Sequence, residues 1–159
     1  MTESGLAAIL PQLASAAPHT HALGFSLVSH EDGVAILKAP YREDLIGDPD
    51  TRVLAGGLVT TLLDHASGMA VWLALDRFVS IATLDLRIDY MRAAKPGLDL
   101  MARAKCYKLT RSIAFVRAWA YDVTADDPVA AAQSTFMLDS DGGRTLGSNL
   151  KPSSAKARP

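Results

Sequence analysis

The chain has 159 residues, a formal net charge of -1 and 21% charged residues. This length suits one ordinary domain with its own core, and the near-neutral charge argues against a basic surface that would bind nucleic acid. The single cysteine, Cys106, cannot form an intramolecular disulfide, and the first residues lack the basic start and long apolar core of a secretory signal. We therefore expect a cytoplasmic protein that binds neither nucleic acid nor membrane.

The N-terminal 18 residues are predicted as a short helical segment, disturbed at Pro11 and closed before Pro18, because three leucines share one helical face: Leu6, Leu10 and Leu13. The stretch GFSLVSHEDGVAILKAPY then predicts two antiparallel strands around a turn at residues 31–33. A polar loop, REDLIGDPDTRVLAGG, leads from these strands to the next element.

One long helix is predicted from Gly57 to about Ala74, where the chain is rich in Leu, Val, Ala and Met and contains no Pro. Its apolar run is too short and too interrupted to span a bilayer. Asp64 lies within it, and a lone buried carboxylate is costly unless it is paired or hydrogen-bonded. The small, polar stripe around this residue supplies three candidate hydroxyl donors, which are Thr60, Thr61 and Ser67.

Four strands follow the helix, in the segments SIATLDLRIDYMR, LDLMARAKCYKL, SIAFVRAWAYDV and VAAAQSTFML. Strict alternation in the first of them predicts one face with Ile81, Thr83, Asp85, Arg87 and Asp89. The short links at 96–97, 110–111 and 126–128 predict that sequential strands are antiparallel neighbours. The pattern as a whole predicts an α+β domain over residues 19–140, in which an antiparallel sheet covers the helix, and a fraying polar tail over 141–159.

Two motifs resemble those of a known family. Ala55, Gly56 and Gly57 precede the helix, with Asp64 eight residues after Gly56, and the triplet TLD at 83–85 is followed by the pair YM at 90–91. The chain resembles hotdog-fold acyl-CoA thioesterases of the phenylacetic-acid-degradation (PaaI-like) type. That resemblance implies a sheet of five to six strands wrapped around one long central helix.

The resemblance also implies a site. Backbone N–H groups of Gly56 and Gly57, at the positive end of the helix, would bind the thioester oxyanion. Asp64 would act as general base or as nucleophile, and sequence does not choose between the two. Thr83 would position the carboxylate or the water. In relatives the glycine and the acid come from different subunits, which implies a homodimer and allows a homotetramer made of two dimers.

Coenzyme A would enter as part of the substrate, with no separate cofactor. Its phosphates are expected near four basic residues at strand ends and turns: Arg92, Lys95, Lys108 and Arg111. No metal is expected, because His65 points about 100° away from Asp64 on a helix and the other histidines lack ligand spacing. His65 is interpreted as a packed or partner-facing side chain.

This chain departs from the family at Ala55, where relatives have histidine, and at Asp48-Pro49, where relatives usually place Asn or Gln. The first hypothesis is a thioesterase that hydrolyses a short, medium or aromatic acyl-CoA. The alternative is a non-catalytic hotdog module that binds acyl-CoA. A third activity on this fold, dehydration of hydroxyacyl thioesters, would usually require a catalytic histidine, and Ala55 argues against it.

Overall fold

The computed structural model of the protein describes residues 5–139. Along the chain its elements are α1 (Gly5–Leu13), α2 (Pro18–Ala22), β1 (Ser26–Ser29), β2 (Val34–Ala39), α3 (Gly56–Leu75), β3 (Ile81–Tyr90), β4 (Leu100–Leu109), β5 (Ile113–Tyr121) and β6 (Ala130–Leu138). The predicted six strands and long helix are confirmed, whereas α2 was missed. The tail predicted over 141–159 lies outside the described residues.

Helix α3 forms the centre of the fold. It has the length and composition of a membrane span, but 56% of that window is buried inside the protein. Leu62, Leu63 and Met69 are fully buried and belong to the same core as the inward side chains of the sheet. The helix ends at Asp76, which adopts a left-handed conformation with φ of 48°. The sheet therefore wraps a helix whose apolar sides are mostly covered by protein.

The six strands form one antiparallel sheet in the order β1-β2-β4-β5-β6-β3. The links at 110–111 and 126–128 join neighbouring strands, as predicted. The prediction for the link at 96–97 is wrong, because β3 pairs with β6 at the far edge and β4 pairs with β2 and β5. Proline and glycine signal a turn, but the partner of each strand is decided by long-range packing.

Strand β3 carries a bulge that the sequence pattern did not reveal. Thr83 pairs with Phe136 and Asp85 pairs with Thr135, so Leu84 is an extra residue without a partner on β6. Phe136 faces the core, and paired residues share a face of the sheet. Thr83 therefore points towards α3, and the predicted common face with Asp85 is wrong. The bulge turns the hydroxyl of Thr83 towards the helix.

The N-terminal helices pack on the same core. Leu6 and Leu10 of α1 and the following Ala14 are buried against it. Pro11 lies inside α1, as the sequence indicated, and Pro18 occupies the first turn of α2, where its missing N–H is tolerated. This packing brings the chain at Ala14 next to α3.

Candidate active site

The start of α3 is fixed by a close backbone contact. Gly47 passes so near Ala55 that a Cβ atom at residue 47 would lie 2.7 Å from the Cα atom of Ala55. The N–H of Gly47 donates to Val53 O at 2.8 Å, and the N–H of Ala55 donates to Leu45 O at 2.9 Å. Only glycine allows this approach, and the direction of the first helical turn follows from it.

The first turn of α3 leaves two donors without a protein acceptor. Ala55 is the N-cap residue and its side chain makes no capping hydrogen bond, while Leu58 and Val59 both donate to the carbonyl oxygen of Ala55. Among the described residues, 5–139, no acceptor is bonded to the N–H of Gly56 or Gly57. Both glycines are exposed, so these N–H groups lie at the positive end of a 20-residue helix and are open to a ligand.

Asp64 is half-buried rather than enclosed, and it has one side-chain partner. Its Oδ1 accepts a hydrogen bond from the Thr83 hydroxyl at 2.9 Å. The prediction that hydroxyls of α3 donate hydrogen bonds to the Asp64 carboxylate is wrong. Thr60 and Thr61 donate instead to the carbonyl oxygens one turn earlier. Ser67 is fully buried and its hydroxyl has no hydrogen-bond partner. The structure thus brings Thr83 and Asp64 together across the bulge of β3.

The two halves of the predicted site are far apart within one chain. Asp64 lies seven positions after Gly57, and at 1.5 Å per residue the two are about 10 Å apart along the helix axis. A carbonyl oxygen held by the N–H of Gly57 would need to be about 3 Å from that donor. The carboxylate of the same chain is therefore out of reach of a thioester bound there.

A cleft of about 170 Å³ opens beside the start of α3. Ala55 and Gly57 line it, and a Cβ atom added to Gly57 would meet no other atom within 4 Å. The remaining wall is mixed: its apolar part comes from Leu23, Leu45, Ile46 and Leu58, and its polar part from His19, Asp44 and Thr61. The cleft offers an apolar group a place next to the free N–H groups.

Tyr90 is a contact residue that sequence reasoning noted only as part of a motif. Its hydroxyl donates to Gly56 O at 3.0 Å and lies 2.7 Å from the hydroxyl of Thr60. An aromatic residue at the end of the strand after the helix was the available signal. The contact itself depends on the path of β3 over the first turn of α3.

The four basic residues predicted to bind coenzyme A do not form one cluster. Arg92 and Lys95 follow β3, whereas Lys108 and Arg111 lie at the opposite end of β4, roughly 25 Å away at about 3.4 Å per residue. Arg92 is engaged in ion pairs, through two bonds of 2.8 and 2.6 Å to Asp122 and one contact of 3.1 Å to a neighbouring acid. Lys95 is exposed on the connection beside them.

His65 is a packed residue, as interpreted from the sequence. Its Nε2 atom lies 3.0 Å from Ala14 O, and its ring stacks at a tilt near Phe25. Burial lowers the pKa of its imidazole below the usual value, against the opposing effects of that carbonyl and of Asp64. Within residues 5–139, no group of three or more His, Cys, Asp or Glu side chains could hold a metal ion.

Comparison with known proteins identifies the family. A family model described as Thioesterase superfamily matches residues 52–129. Human acyl-coenzyme A thioesterase 13 is 33% identical over 116 residues, which cover 72% of this chain and 80% of that protein. The chain belongs to the thioesterase superfamily. The residues matched by the family model, 52–129, include the start of α3, Asp64 and the strands β3 to β5 of this thioesterase-superfamily member.

Two further comparisons agree with this membership. A candidate esterase of Halobacterium salinarum is 36% identical over 94 residues, 57% of this chain, and the match spans 61% of that protein, less than two thirds of its length. The structure of a mutant of the phenylacetic acid degradation protein PaaI from Thermus thermophilus gives a TM-score of 0.65 at 26% identity, covering 76% of this chain and 98% of that one. The predicted PaaI-like hotdog fold is confirmed.

Proposed function

We propose that this member of the thioesterase superfamily is an acyl-CoA thioesterase that hydrolyses a short, medium or aromatic acyl-CoA. The observation that carries the proposal is the pair of N–H groups of Gly56 and Gly57 that have no acceptor among the described residues; they lie beside a partly apolar cleft, on the same helix as a carboxylate held by Thr83. The name of the human relative, an acyl-coenzyme A thioesterase, supports this substrate class.

In the proposed reaction the thioester oxygen accepts hydrogen bonds from Gly56 and Gly57 as negative charge develops on it. One such donor is typically worth roughly 3 kcal/mol of barrier. Acting as general base, Asp64 takes a proton from water while the hydroxide attacks the carbonyl carbon; the C–S bond then breaks and the proton passes to the leaving thiolate. Acting as nucleophile, the Asp64 carboxylate attacks the carbonyl carbon, the C–S bond breaks and coenzyme A leaves as a thiolate; water then hydrolyses the resulting anhydride, releasing the acid and restoring the carboxylate, and the proton released goes to the thiolate. Both routes yield the free acid and coenzyme A.

The separation of about 10 Å along α3 supports a homodimer in which each site takes its oxyanion donors from one protomer and Asp64 from the other. The open edge of the sheet supports the same assembly, because β3 pairs only with β6 among the described residues and displays Leu84 and Tyr90, each 54% exposed. A long exposed strand edge invites pairing with a second copy. Two such dimers could form the tetramer that the family resemblance allows.

The acyl group is proposed to enter the cleft beside Ala55 and to pack on the apolar part of its wall, formed by Leu23, Leu45, Ile46 and Leu58. Lys95 is proposed to attract the phosphates of coenzyme A at the same end of the sheet. Arg92 forms an ion pair with Asp122, so we assign it a structural role rather than a role in binding coenzyme A. Lys108 and Arg111 lie at the far end of β4, so they would serve a site only from another protomer.

One observation favours the second candidate, a non-catalytic module that binds acyl-CoA. Ala55 places no polar group in the cleft, and both oxygens of Asp48 are used within their own loop, where they accept from the N–H of Asp50 at 3.0 Å and from the hydroxyl of Thr51 at 2.7 Å. The loop therefore offers the substrate fewer side-chain contacts than the family pattern would.

The test measures free thiol released from a panel of acyl-CoAs by wild type, Asp64→Asn and Ala55→His, with binding measured in parallel. Turnover by wild type that falls about 100-fold or more in a folded Asp64→Asn protein supports the enzyme. Ala55→His should then raise turnover, since one well-placed hydrogen bond in such a site is worth roughly 1 to 3 kcal/mol. Binding at micromolar concentration without hydrolysis, in wild type and Ala55→His alike, would establish the binding module instead.

A further inference from the structure

Three oxygen atoms meet where the end of β3 crosses the first turn of α3. The hydroxyl of Tyr90 is 3.0 Å from Gly56 O and 2.7 Å from the hydroxyl of Thr60, and the Thr60 hydroxyl is itself 3.2 Å from Gly56 O. The carbonyl oxygen can only accept, so the triangle contains two hydroxyl hydrogens and three edges. When both hydrogens stay within it, Gly56 O must accept at least one.

The accepting carbonyl belongs to the peptide group whose N–H is that of Gly57. A peptide group is a conjugated unit, so a hydrogen bond to its oxygen draws electron density from its nitrogen and makes its N–H a stronger donor. Of the N–H groups in the first turn of α3, those of Gly56 and Gly57 have no acceptor among the described residues. The triangle therefore acts on a group that is open to the cleft.

The same contact fixes the direction of that donor. β3 is anchored to β6 along its whole length, with Tyr90 paired to Ala130. The hydroxyl thus ties the exposed Gly56–Gly57 start of α3, which has no side-chain cap, to a strand held by the sheet. Loss of the hydroxyl would leave the Gly56–Gly57 peptide freer to reorient, while the buried side chains of Leu58 and Val59 keep the rest of the turn on the core.

We infer that Tyr90 is a positioning residue whose hydroxyl, together with that of Thr60, orients and polarises the Gly56–Gly57 peptide so that the N–H of Gly57 binds the thioester oxyanion. The inference rests on the proposed thioesterase function. It concerns the transition state, where the oxygen carries charge, more than the neutral substrate.

The test replaces Tyr90 by Phe, which keeps the ring and removes the hydroxyl. Tyr107→Phe is the matched control, because this tyrosine lies in β4 with its ring 5.0 Å from Arg117 and away from α3. We expect kcat to fall about 5-fold in Tyr90→Phe with KM within about 2-fold of wild type, and Tyr107→Phe to match wild type. Adding Thr60→Val should lower kcat further, because the second hydroxyl at the same carbonyl is then lost.

A second readout does not depend on activity. Labelling glycine with carbonyl ¹³C and with ¹⁵N selects Gly-Gly amides, of which the sequence has two, at 56–57 and at 142–143, and a Gly143→Ala variant identifies the second by its absence. The Gly57 amide resonance should shift in Tyr90→Phe and stay in place in Tyr107→Phe.

The possible outcomes distinguish a failure of the inference about Tyr90 from a failure of the proposed thioesterase function. An unshifted Gly57 amide, or kcat unchanged in Tyr90→Phe of an active enzyme, overturns the inference and leaves the proposed function standing. A wild type that hydrolyses no acyl-CoA overturns the proposed function and with it the catalytic part of the inference. A fall in kcat matched by Tyr107→Phe would show a general loss of hydroxyls rather than a role for this contact.

Discussion

A dimeric site made from two half-sites should be recoverable from two inactive proteins. In the proposed homodimer, one half-site would contribute the N–H groups of Gly56 and Gly57, and the other would contribute Asp64 held by Thr83. Gly57→Leu blocks the first, because its new side chain extends into the open space beside the helix start. Asp64→Asn disables the second while keeping its shape. Each protein alone should retain about 1% of wild-type turnover or less.

A mixed dimer of these two variants has one site with both defects and one site with none. Since a wild-type dimer has two sites, mixed dimers isolated with two different affinity tags should turn over at about half the wild-type rate per dimer. The gain over either parent is then roughly 50-fold, measured by thiol release from the acyl-CoA that wild type prefers. A difference in turnover of this size is far larger than the error of a steady-state assay.

The control pairs two defects of the same half-site. Thr83 donates to Asp64 of its own chain, so a mixed dimer of Thr83→Val and Asp64→Asn contains no intact site and should stay slow. If the dimer of Gly57→Leu with Asp64→Asn is equally slow although both chains are folded, the two halves do not meet across an interface. A wild type that is monomeric by light scattering at micromolar concentration would contradict the reasoning at its first step.

Three further predictions concern stability and the helix cap. The Arg92 guanidinium holds the pKa of the Asp122 carboxyl well below its usual range, so the stabilisation from this pair is complete above about pH 4. It is lost gradually as the pH falls from there through the depressed pKa of the folded state. Asp122→Asn should cost about 3 kcal/mol in urea unfolding at pH 7, and the difference from wild type should shrink steadily as the pH is lowered below 4. Burial lowers the pKa of His65, so stability should fall as the pH drops below about 6.5, and His65→Gln should flatten that slope in thermal melts. Ala55→Ser should raise stability by about 1 kcal/mol through an N-cap bond and lower kcat, because the new hydroxyl takes an N–H that the substrate needs; higher stability with unchanged kcat would contradict the assigned donors.

The sequence was informative where the signal is local. The apolar run without proline predicted α3, and alternation with turn residues predicted the strands, since both depend on neighbours within a few positions. Pairing of β3 with β6 was not readable, because nothing between residues 91 and 99 says which strand lies beside which. The bulge at Leu84 was hidden for the same reason. An extra residue is defined only against a partner strand, and it reversed the expected face of Thr83.

The same difference between local and long-range signals applies to the candidate site. Gly56, Gly57 and Asp64 could be put forward as site residues because the motif that carries the family resemblance lies within one helix, and their roles stay a prediction. The partner of Arg92, 30 residues away at Asp122, was not found, and this arginine was assigned to coenzyme A although it binds a fully buried carboxylate. The sequence shows that a basic residue is able to bind an anion. Which anion it binds is decided by the strands that bring the two together.

The aspartate in an apolar helix has a physical explanation that the sheet supplies. Asp64 lies on the side of α3 that the sheet leaves half open, at the level of the β3 bulge, so its carboxylate keeps some solvent and gains the hydroxyl of Thr83. A helix enclosed on every side would deprive this carboxylate of solvent and of the Thr83 hydroxyl, and a helix capped at its start could not offer Gly56 and Gly57 as donors. The fold thus leaves two polar groups of one helix accessible to a ligand, about 10 Å apart along the helix axis. A two-fold partner that presents its own α3 in the opposite sense would satisfy both, through a substrate held between them.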